Sequence, residues 1–156
     1  MIDSFLNFLT YENIYYIANL GVIPCWLFLI MLPNHIITNF LVKSVIIPLL
    51  LSTAYIFISY KIFISENIFE VFNLYLGLDD LYALFSNEAF LLIFWLHFLS
   101  INLFVGNWIV SDARTYQISK LFVIISLIMT YFTGPTGLLI YWLFRIFYSR
   151  KINYYD

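Results

Sequence analysis

Four long apolar runs without a formal charge in their interiors limit how this chain can fold. They cover residues 14–32, 44–64, 89–110 and 121–144, with Lys61 near the end of the second run. About 20 apolar helical residues cross a bilayer core, and in lipid every backbone polar group needs a partner inside the protein. The runs therefore predict an all-α membrane protein, one domain over residues 1–156 with four transmembrane helices.

The overall composition agrees with a membrane location. Hydrophobic residues make up 63% of the 156 residues and charged residues 10%, whereas soluble domains average about 45–50% and about 25%. Soluble, disordered and nucleic-acid-binding proteins are thereby excluded. Cys25 is the single cysteine, so no intrachain disulfide can form. The sequence carries no glycine-rich phosphate loop, metal-ligand cluster or nucleophile elbow.

The loop between the second and third runs has a helical pattern of its own. In residues 66–77, polar positions recur every three or four residues among apolar ones, at Glu66, Glu70, Asn73 and Gly77. This spacing predicts an amphipathic helix in the membrane interface between transmembrane helices 2 and 3, ended by Gly77. Ser86-Asn87-Glu88 predicts the start of the third helix, with a capping Ser or Asn.

An even number of crossings would place both termini on one side of the membrane. That side would hold four basic residues and the other side three: Lys61, Arg145, Arg150 and Lys151 against Lys43, Arg114 and Lys120. This difference does not fix the orientation. We expect the termini in the cytoplasm and the protein in a bacterial inner membrane, with a plastid membrane as the alternative.

Polar side chains in the third run need an explanation, because an unpaired polar group in hydrocarbon is costly. At helical spacing they form two stripes, one with Glu88, Trp95, Asn102 and Gly106 and the other with His97, Trp108 and Asp112. Both stripes are expected to face other helices. In one interpretation Asn102 bonds to a helix that Gly106 lets approach, and His97 is a satisfied interior residue. In the other, His97 is an acid, base or ligand, with Asn102 and Glu88 orienting a substrate.

The fourth run contains Gly134-Pro135-Thr136-Gly137 near its middle. Pro135 removes one backbone donor and clashes with the preceding turn, which predicts a kink. We expect Gly134 or Gly137 to lie at a close contact with another helix. The kink is interpreted either as a packing feature or as a broken helix that lines a site.

Several short motifs resemble the abscisic-acid-deficient-four-like family. They are Pro33-Asn34, Phe85-Ser86-Asn87-Glu88, Trp95-Leu96-His97, residues 102–109, Asp112-Ala113-Arg114 and residues 134–139. The resemblance covers most of the chain and its order of helices. The sequence departs from the family pattern at Asn102, where many relatives have an aspartate, and at Asn107, where arginine is frequent. An asparagine can orient a substrate but cannot accept a proton as a carboxylate does.

The resemblance implies an activity on an isoprenoid lipid. The plant member of the family is needed for the conversion of violaxanthin to neoxanthin, an epoxide-opening isomerisation without a redox cofactor. Such a reaction needs an acid and a base in a slot open to the bilayer. The catalytic candidates are His97, Glu88 and Asp112, the substrate-binding candidates are Trp95, Asn102, Trp108 and Arg114, and the structural candidates are Gly106, Gly134, Pro135 and Gly137.

A non-enzymatic role stays open beside the enzymatic one. The chain would then bind a carotenoid or tetrapyrrole, or help to assemble a larger membrane complex. No cofactor and no metal site are predicted, although a bound carotenoid or other pigment fits either role. The expected partners are membrane lipid, an apolar isoprenoid ligand and further membrane subunits or copies of the chain, and no nucleic acid.

Overall fold

The computed structural model describes residues 8–44, 46–65, 72 and 75–149. Within these ranges every regular element is helical. In chain order the elements are α1 (Tyr11–Met31), a π-helical turn (Thr38–Val42), α2 (Ile46–Ser65), α3 (Leu78–Phe85), α4 (Glu88–Thr115), α5 (Lys120–Thr133) and α6 (Pro135–Ser149). The prediction of an all-α fold is confirmed for this part of the chain.

Among the residues that the structure describes, three helical segments are long and apolar enough to cross a membrane. They are Tyr11–Met31, Thr38–Ile64 and Glu88–Thr115, and they correspond to the first three predicted runs. At 1.5 Å per residue, the 28 residues of α4 rise about 42 Å, which exceeds a hydrocarbon core of about 30 Å. These helices make the chain a multi-pass membrane protein.

The fourth predicted transmembrane helix, over residues 121–144, is not a single helix. α5 ends at Thr133, and α6 begins at Pro135 after Gly134. The rings of Phe122 and Phe144 stack with centroids 4.2 Å apart, although a straight helix would separate these residues by about 33 Å. α5 and α6 therefore run antiparallel as a helical hairpin, and the expected kinked span is wrong.

Proline and glycine explain why the chain reverses instead of kinking. Pro135 has no N–H to continue the hydrogen bonds of α5, and its fixed φ suits the first turn of α6. Gly134 has a φ of +60°, and a Cβ there would lie 2.6 Å from Oδ1 of Asn102. A Cβ on Gly137 would overlap the backbone nitrogen of Thr130. The two helices thus pack backbone to backbone at this point.

The hairpin is too short to cross a membrane in either direction. α5 and α6 contain 14 and 15 residues, which rise about 21 and 22 Å. Its outward side chains are apolar, among them Phe132, Leu139 and Phe147. Its turn at Gly134 lies against Asn102, near the middle of α4. The hairpin therefore fits a re-entrant segment that enters and leaves on one side of the bilayer.

The connection between α2 and α4 differs from the sequence prediction in its described part. Most of the expected amphipathic helix over 66–77 lies outside the described residues. Gly77 precedes α3, a short helix that the sequence pattern did not predict. Oδ1 of Asn87 accepts a hydrogen bond from the N–H of Ala89 at 2.9 Å, and this bond confirms Asn87 as the cap of α4.

The chain divides into two compact units. The first comprises Met1–Gly21 and Pro48–Ser100, and the second comprises Val22–Ile47 and Ile101–Asp156. In the first unit, Nε1 of Trp95 donates to Oδ1 of Asn19 at 3.2 Å and so joins α4 to α1. In the second unit, Gly106 lets Trp26 approach α4, because a Cβ on Gly106 would lie 2.7 Å from the indole ring.

Charge is distributed very unequally between the two units. Among the described residues the first unit contains four acids and one base, namely Glu12, Asp79, Asp80, Glu88 and Lys61. The second unit contains four bases and one acid, namely Lys43, Arg114, Lys120, Arg145 and Asp112. An excess of Lys and Arg marks the cytoplasmic side of a membrane protein. Lys43 lies in the connection that precedes α2, and Arg114 and Lys120 flank the connection that precedes α5, whereas Arg145 lies within α6.

We predict that the N-terminus and the C-terminus lie on opposite sides of the membrane. Three crossing helices put the two termini on opposite sides, and a hairpin that returns to its side of entry does not change this. The expectation from four crossings was that both termini lie on one side. The basic residues near the α4–α5 connection predict a cytoplasmic C-terminus. Topology reporters fused before Met1 and after Asp156 measure it. Reporters that respond on the same side would contradict the re-entrant hairpin.

We also predict that Gly137→Ala destabilises the protein while Gly21→Ala does not. The methyl group on Gly137 would push α6 away from the backbone of α5, and overpacking of this kind typically costs about 1–3 kcal/mol. A Cβ on Gly21 meets nothing within 4 Å, so this variant serves as the matched control. Thermal unfolding in detergent compares the two, and equal melting temperatures would refute the backbone contact.

Candidate functional site

His97 lies in a groove between α2 and α4 in the first unit. The groove has a volume of about 280 Å³ and is lined by Leu51, Ser52, Tyr55, Ile56, Leu96, His97 and Ser100; we call it the His97 groove. His97 is exposed, so the expectation of an interior histidine is wrong. Leu96 and Leu99 are the buried residues of this turn, and the 100° step per residue turns position 97 outward.

The side chains of Ser52, His97 and Ser100 in the His97 groove have no hydrogen-bond partner among the described residues, and the same is true of the hydroxyl of Tyr55. Other helical hydroxyls behave differently: those of Ser59 and Ser126, for example, donate to the carbonyl four residues earlier at 2.9 Å. An imidazole and three hydroxyls thus face a mainly apolar groove with free hydrogen-bonding capacity. Such groups can bind the oxygen atoms of a ligand.

Glu88 and Trp95 line a different cleft, at the start of α4. This cleft has a volume of about 520 Å³, and Tyr11, Glu12, Tyr15, Tyr16, Leu91 and Leu92 complete its lining. Along α4, Glu88 is about 13 Å from His97 at 1.5 Å per residue. An acid and a base that act on neighbouring atoms cannot be so far apart. Glu88 and His97 are therefore not a catalytic pair.

In the second unit, Asp112 lies at the centre of a buried polar cluster. Its Oδ2 accepts hydrogen bonds from Nε of Arg145 at 2.7 Å and from the hydroxyl of Tyr141 at 2.6 Å. Nη2 of Arg145 also donates to the hydroxyl of Tyr116 at 3.1 Å. We call Asp112, Tyr116, Tyr141 and Arg145 the Asp112 cluster. The cluster joins α4 to α6.

Aromatic rings enclose the guanidinium of this cluster. Cζ of Arg145 lies 4.7 Å from the ring centroid of Trp142 and 4.5 Å from that of Tyr116. Trp108 packs edge-to-face on Tyr141, with centroids 5.5 Å apart. The side chain of Arg145 is 0% exposed and that of Asp112 is 11% exposed. Trp108 thus forms a wall of the Asp112 cluster.

The geometry makes Asp112 an anchor for the hairpin. Removing one partner of a buried ion pair leaves an uncompensated charge, so the carboxylate is needed to keep Arg145 inside the protein. Sequence reasoning missed Tyr141 and Arg145, because Arg145 was placed just after the end of a single, kinked fourth helix over residues 121–144. The four-residue spacing of Tyr141 and Arg145, which puts both on one helical face, was the available signal.

Asn102 occupies a third position, between α4 and the turn of the hairpin. Its side chain is 6% exposed and packs on Gly134. Its Nδ2 has no hydrogen-bond partner in the described part of the chain, and the same is true of Oδ1 of Asn107. Asn102 and Asn107 therefore each hold one buried polar atom without a partner among the described residues. Arg114 lies apart from both and donates from Nη2 to the carbonyl of Pro33 at 3.3 Å.

We predict that Asp112→Asn destabilises the protein far more than Glu88→Gln. Both changes replace a carboxylate by an amide, but only the first leaves the buried guanidinium of Arg145 without its counter-charge, at a cost of about 3–5 kcal/mol. Glu88 is exposed, and exposed substitutions typically change stability by less than about 0.5 kcal/mol. Thermal unfolding of both purified variants measures the difference. Similar losses would remove the anchoring role of Asp112.

Comparison with known proteins places the chain in a family. The ABA DEFICIENT 4-like family model matches residues 13–141, from the first turn of α1 to Tyr141 in α6. No curated protein and no solved structure gives a significant match. The matched range covers nearly all of the three candidate membrane-spanning helices, the His97 groove and the turn of the hairpin. The chain belongs to the ABA DEFICIENT 4-like family.

Proposed function

We propose that this protein takes an oxygenated isoprenoid lipid of the carotenoid class from the bilayer into the His97 groove and isomerises it by proton transfer. The observation that carries the proposal is the exposed imidazole, accompanied by Ser52 and Ser100, in a mainly apolar groove on a helix long enough to cross a membrane. Once the groove lies in lipid, its exposed donors and acceptors have no water to bond, and an unsatisfied group away from water typically costs about 1–3 kcal/mol. An oxygen-bearing ligand would relieve this cost.

The size of the groove suits part of a long lipid. Its volume of about 280 Å³ is at the lower end of the range for small-molecule sites, about 300–1,000 Å³. One oxygenated end group of a carotenoid would occupy the groove, and the remaining polyene would stay among the lipid chains. Leu51, Ile56 and Leu96 supply the apolar walls.

His97 supplies both functions that an epoxide isomerisation requires. One ring nitrogen accepts the proton from carbon, and the N–H on the other nitrogen donates to the epoxide oxygen. The C–H and C–O bonds break, a new carbon–carbon π bond and an O–H bond form, and the imidazole ends as its other tautomer. No electron is gained or lost. Ser52 and Ser100 orient the oxygen by hydrogen bonding.

Pigment binding without turnover is the second candidate function. The lining of the His97 groove favours it, because no carboxylate lies there and the other catalytic candidates, Glu88 and Asp112, lie elsewhere. A neutral imidazole also ligates the magnesium of chlorophyll-type pigments. In this role the chain would be a pigment-carrying or assembly subunit of a membrane complex.

We expect His97→Gln to fold normally and to lose its bound isoprenoid or its turnover. Glutamine keeps hydrogen-bonding atoms but does not titrate near neutral pH. His35→Gln is the matched control, because His35 is the other histidine of the chain and lies in the connection after α1. Each variant is purified from a carotenoid-producing host, and its melting temperature and extracted pigments are measured.

Incubation with an epoxycarotenoid then separates the two functions. A product of unchanged mass that forms with wild type and with His35→Gln, and not with His97→Gln, supports the isomerase. Retention of pigment by wild type without conversion supports the binding subunit. A His97→Gln protein with wild-type stability, pigment content and turnover would overturn both.

A further inference from the structure

The proposed function leaves Arg114 without a role, although the Asp112-Ala113-Arg114 motif is part of the family resemblance. Arg114 lines a cleft in the second unit with a volume of about 290 Å³. Its other polar lining residues are Asn34, Gln117 and Lys120, and Val110, Ile118 and Val123 supply apolar lining. We call it the basic cleft. It combines two cationic side chains with an apolar lining.

The positive charge of the basic cleft is not neutralised by the protein. No carboxylate pairs with Arg114 or Lys120 in the described part of the chain. Arg114 makes one long hydrogen bond, to the carbonyl of Pro33 at 3.3 Å, and a guanidinium has five N–H donors.

We propose that the basic cleft binds the phosphate group of an anionic membrane lipid. Arg114 donates to the phosphate with its planar fork of N–H groups, and Lys120 adds a point charge. The apolar lining from Val110, Ile118 and Val123 receives the start of an acyl chain. Arg114 and Lys120 are both cationic and have no carboxylate partner among the described residues, so they repel each other until an anion neutralises them. We therefore expect an occupant that carries negative charge.

The location of the cleft favours a lipid over a soluble anion. The cleft lies where α4 ends and α5 begins, so it is at the end of a membrane-crossing helix and at the base of the hairpin. The basic residues around this connection predict the cytoplasmic side. The cytoplasmic leaflet contains anionic lipids, which attract basic residues by about 1 kcal/mol for each Lys or Arg near the surface.

Lipid binding by the full-length protein in a neutral detergent tests this site. Phosphatidylglycerol is titrated, bound lipid is counted by native mass spectrometry, and phosphatidylcholine serves as the reference lipid. We expect wild type to prefer phosphatidylglycerol. Arg114→Gln and Lys120→Gln should each weaken its binding about fivefold, the equivalent of about 1 kcal/mol per basic residue. Melting temperatures close to wild type establish that both variants are folded.

Lys61→Gln is the matched control, because it removes one positive charge from the first unit. Lys61 lies over the rings of Tyr11 and Phe57 and is not part of the basic cleft. It should bind phosphatidylglycerol as wild type does. Equal affinity for the two lipids, or an equal loss in all three variants, would overturn the site. Displacement of the lipid by an equal concentration of inorganic phosphate would overturn the lipid as its occupant.

Discussion

The direct contact between the backbones of α5 and α6 is the constraint on which the second unit depends. It exists because Gly137 has no side chain to hold Thr130 away. Once the two helices lie together, Tyr141 and Arg145 follow on the same face of α6 and meet Asp112 of α4. The buried guanidinium and the hairpin therefore stabilise each other. Neither Asp112 nor Arg145 could stay in an apolar environment alone.

The sequence predicted the helices well where the hydrophobic period decides the structure. The first three apolar runs correspond to helical segments that are long and apolar enough to cross a membrane, and Asn87 caps α4 as its position indicated. The prediction for the fourth run was wrong because length and apolarity cannot distinguish one long helix from two short antiparallel ones. Gly134 and Pro135 marked the correct position of the break, but the angle of the turn depends on the contact between Gly137 and Thr130, which is tertiary.

The candidate site was predicted less completely than the fold. The role of His97 stays a prediction, and its side chain is exposed in a groove between α2 and α4 instead of being buried in the interior. Its neighbours Leu96 and Leu99 fill the buried positions instead. Glu88, His97 and Asp112 share one helix, but each has a different environment: an aromatic cleft, an apolar groove and an ion pair. Spacing along a helix cannot reveal which residues of other helices lie opposite.

The hairpin also has a consequence for biosynthesis. A transmembrane helix that follows α4 would have to carry Arg145 to the far side of the bilayer. A re-entrant hairpin would keep both of its ends, and with them Lys120 and Arg145, on the side where it enters. If that side is the cytoplasmic one, as predicted above, neither charge has to cross the bilayer during insertion. The two helices of the hairpin, 14 and 15 residues long, would then enter the lipid together, and Arg145 would pair with Asp112 of α4.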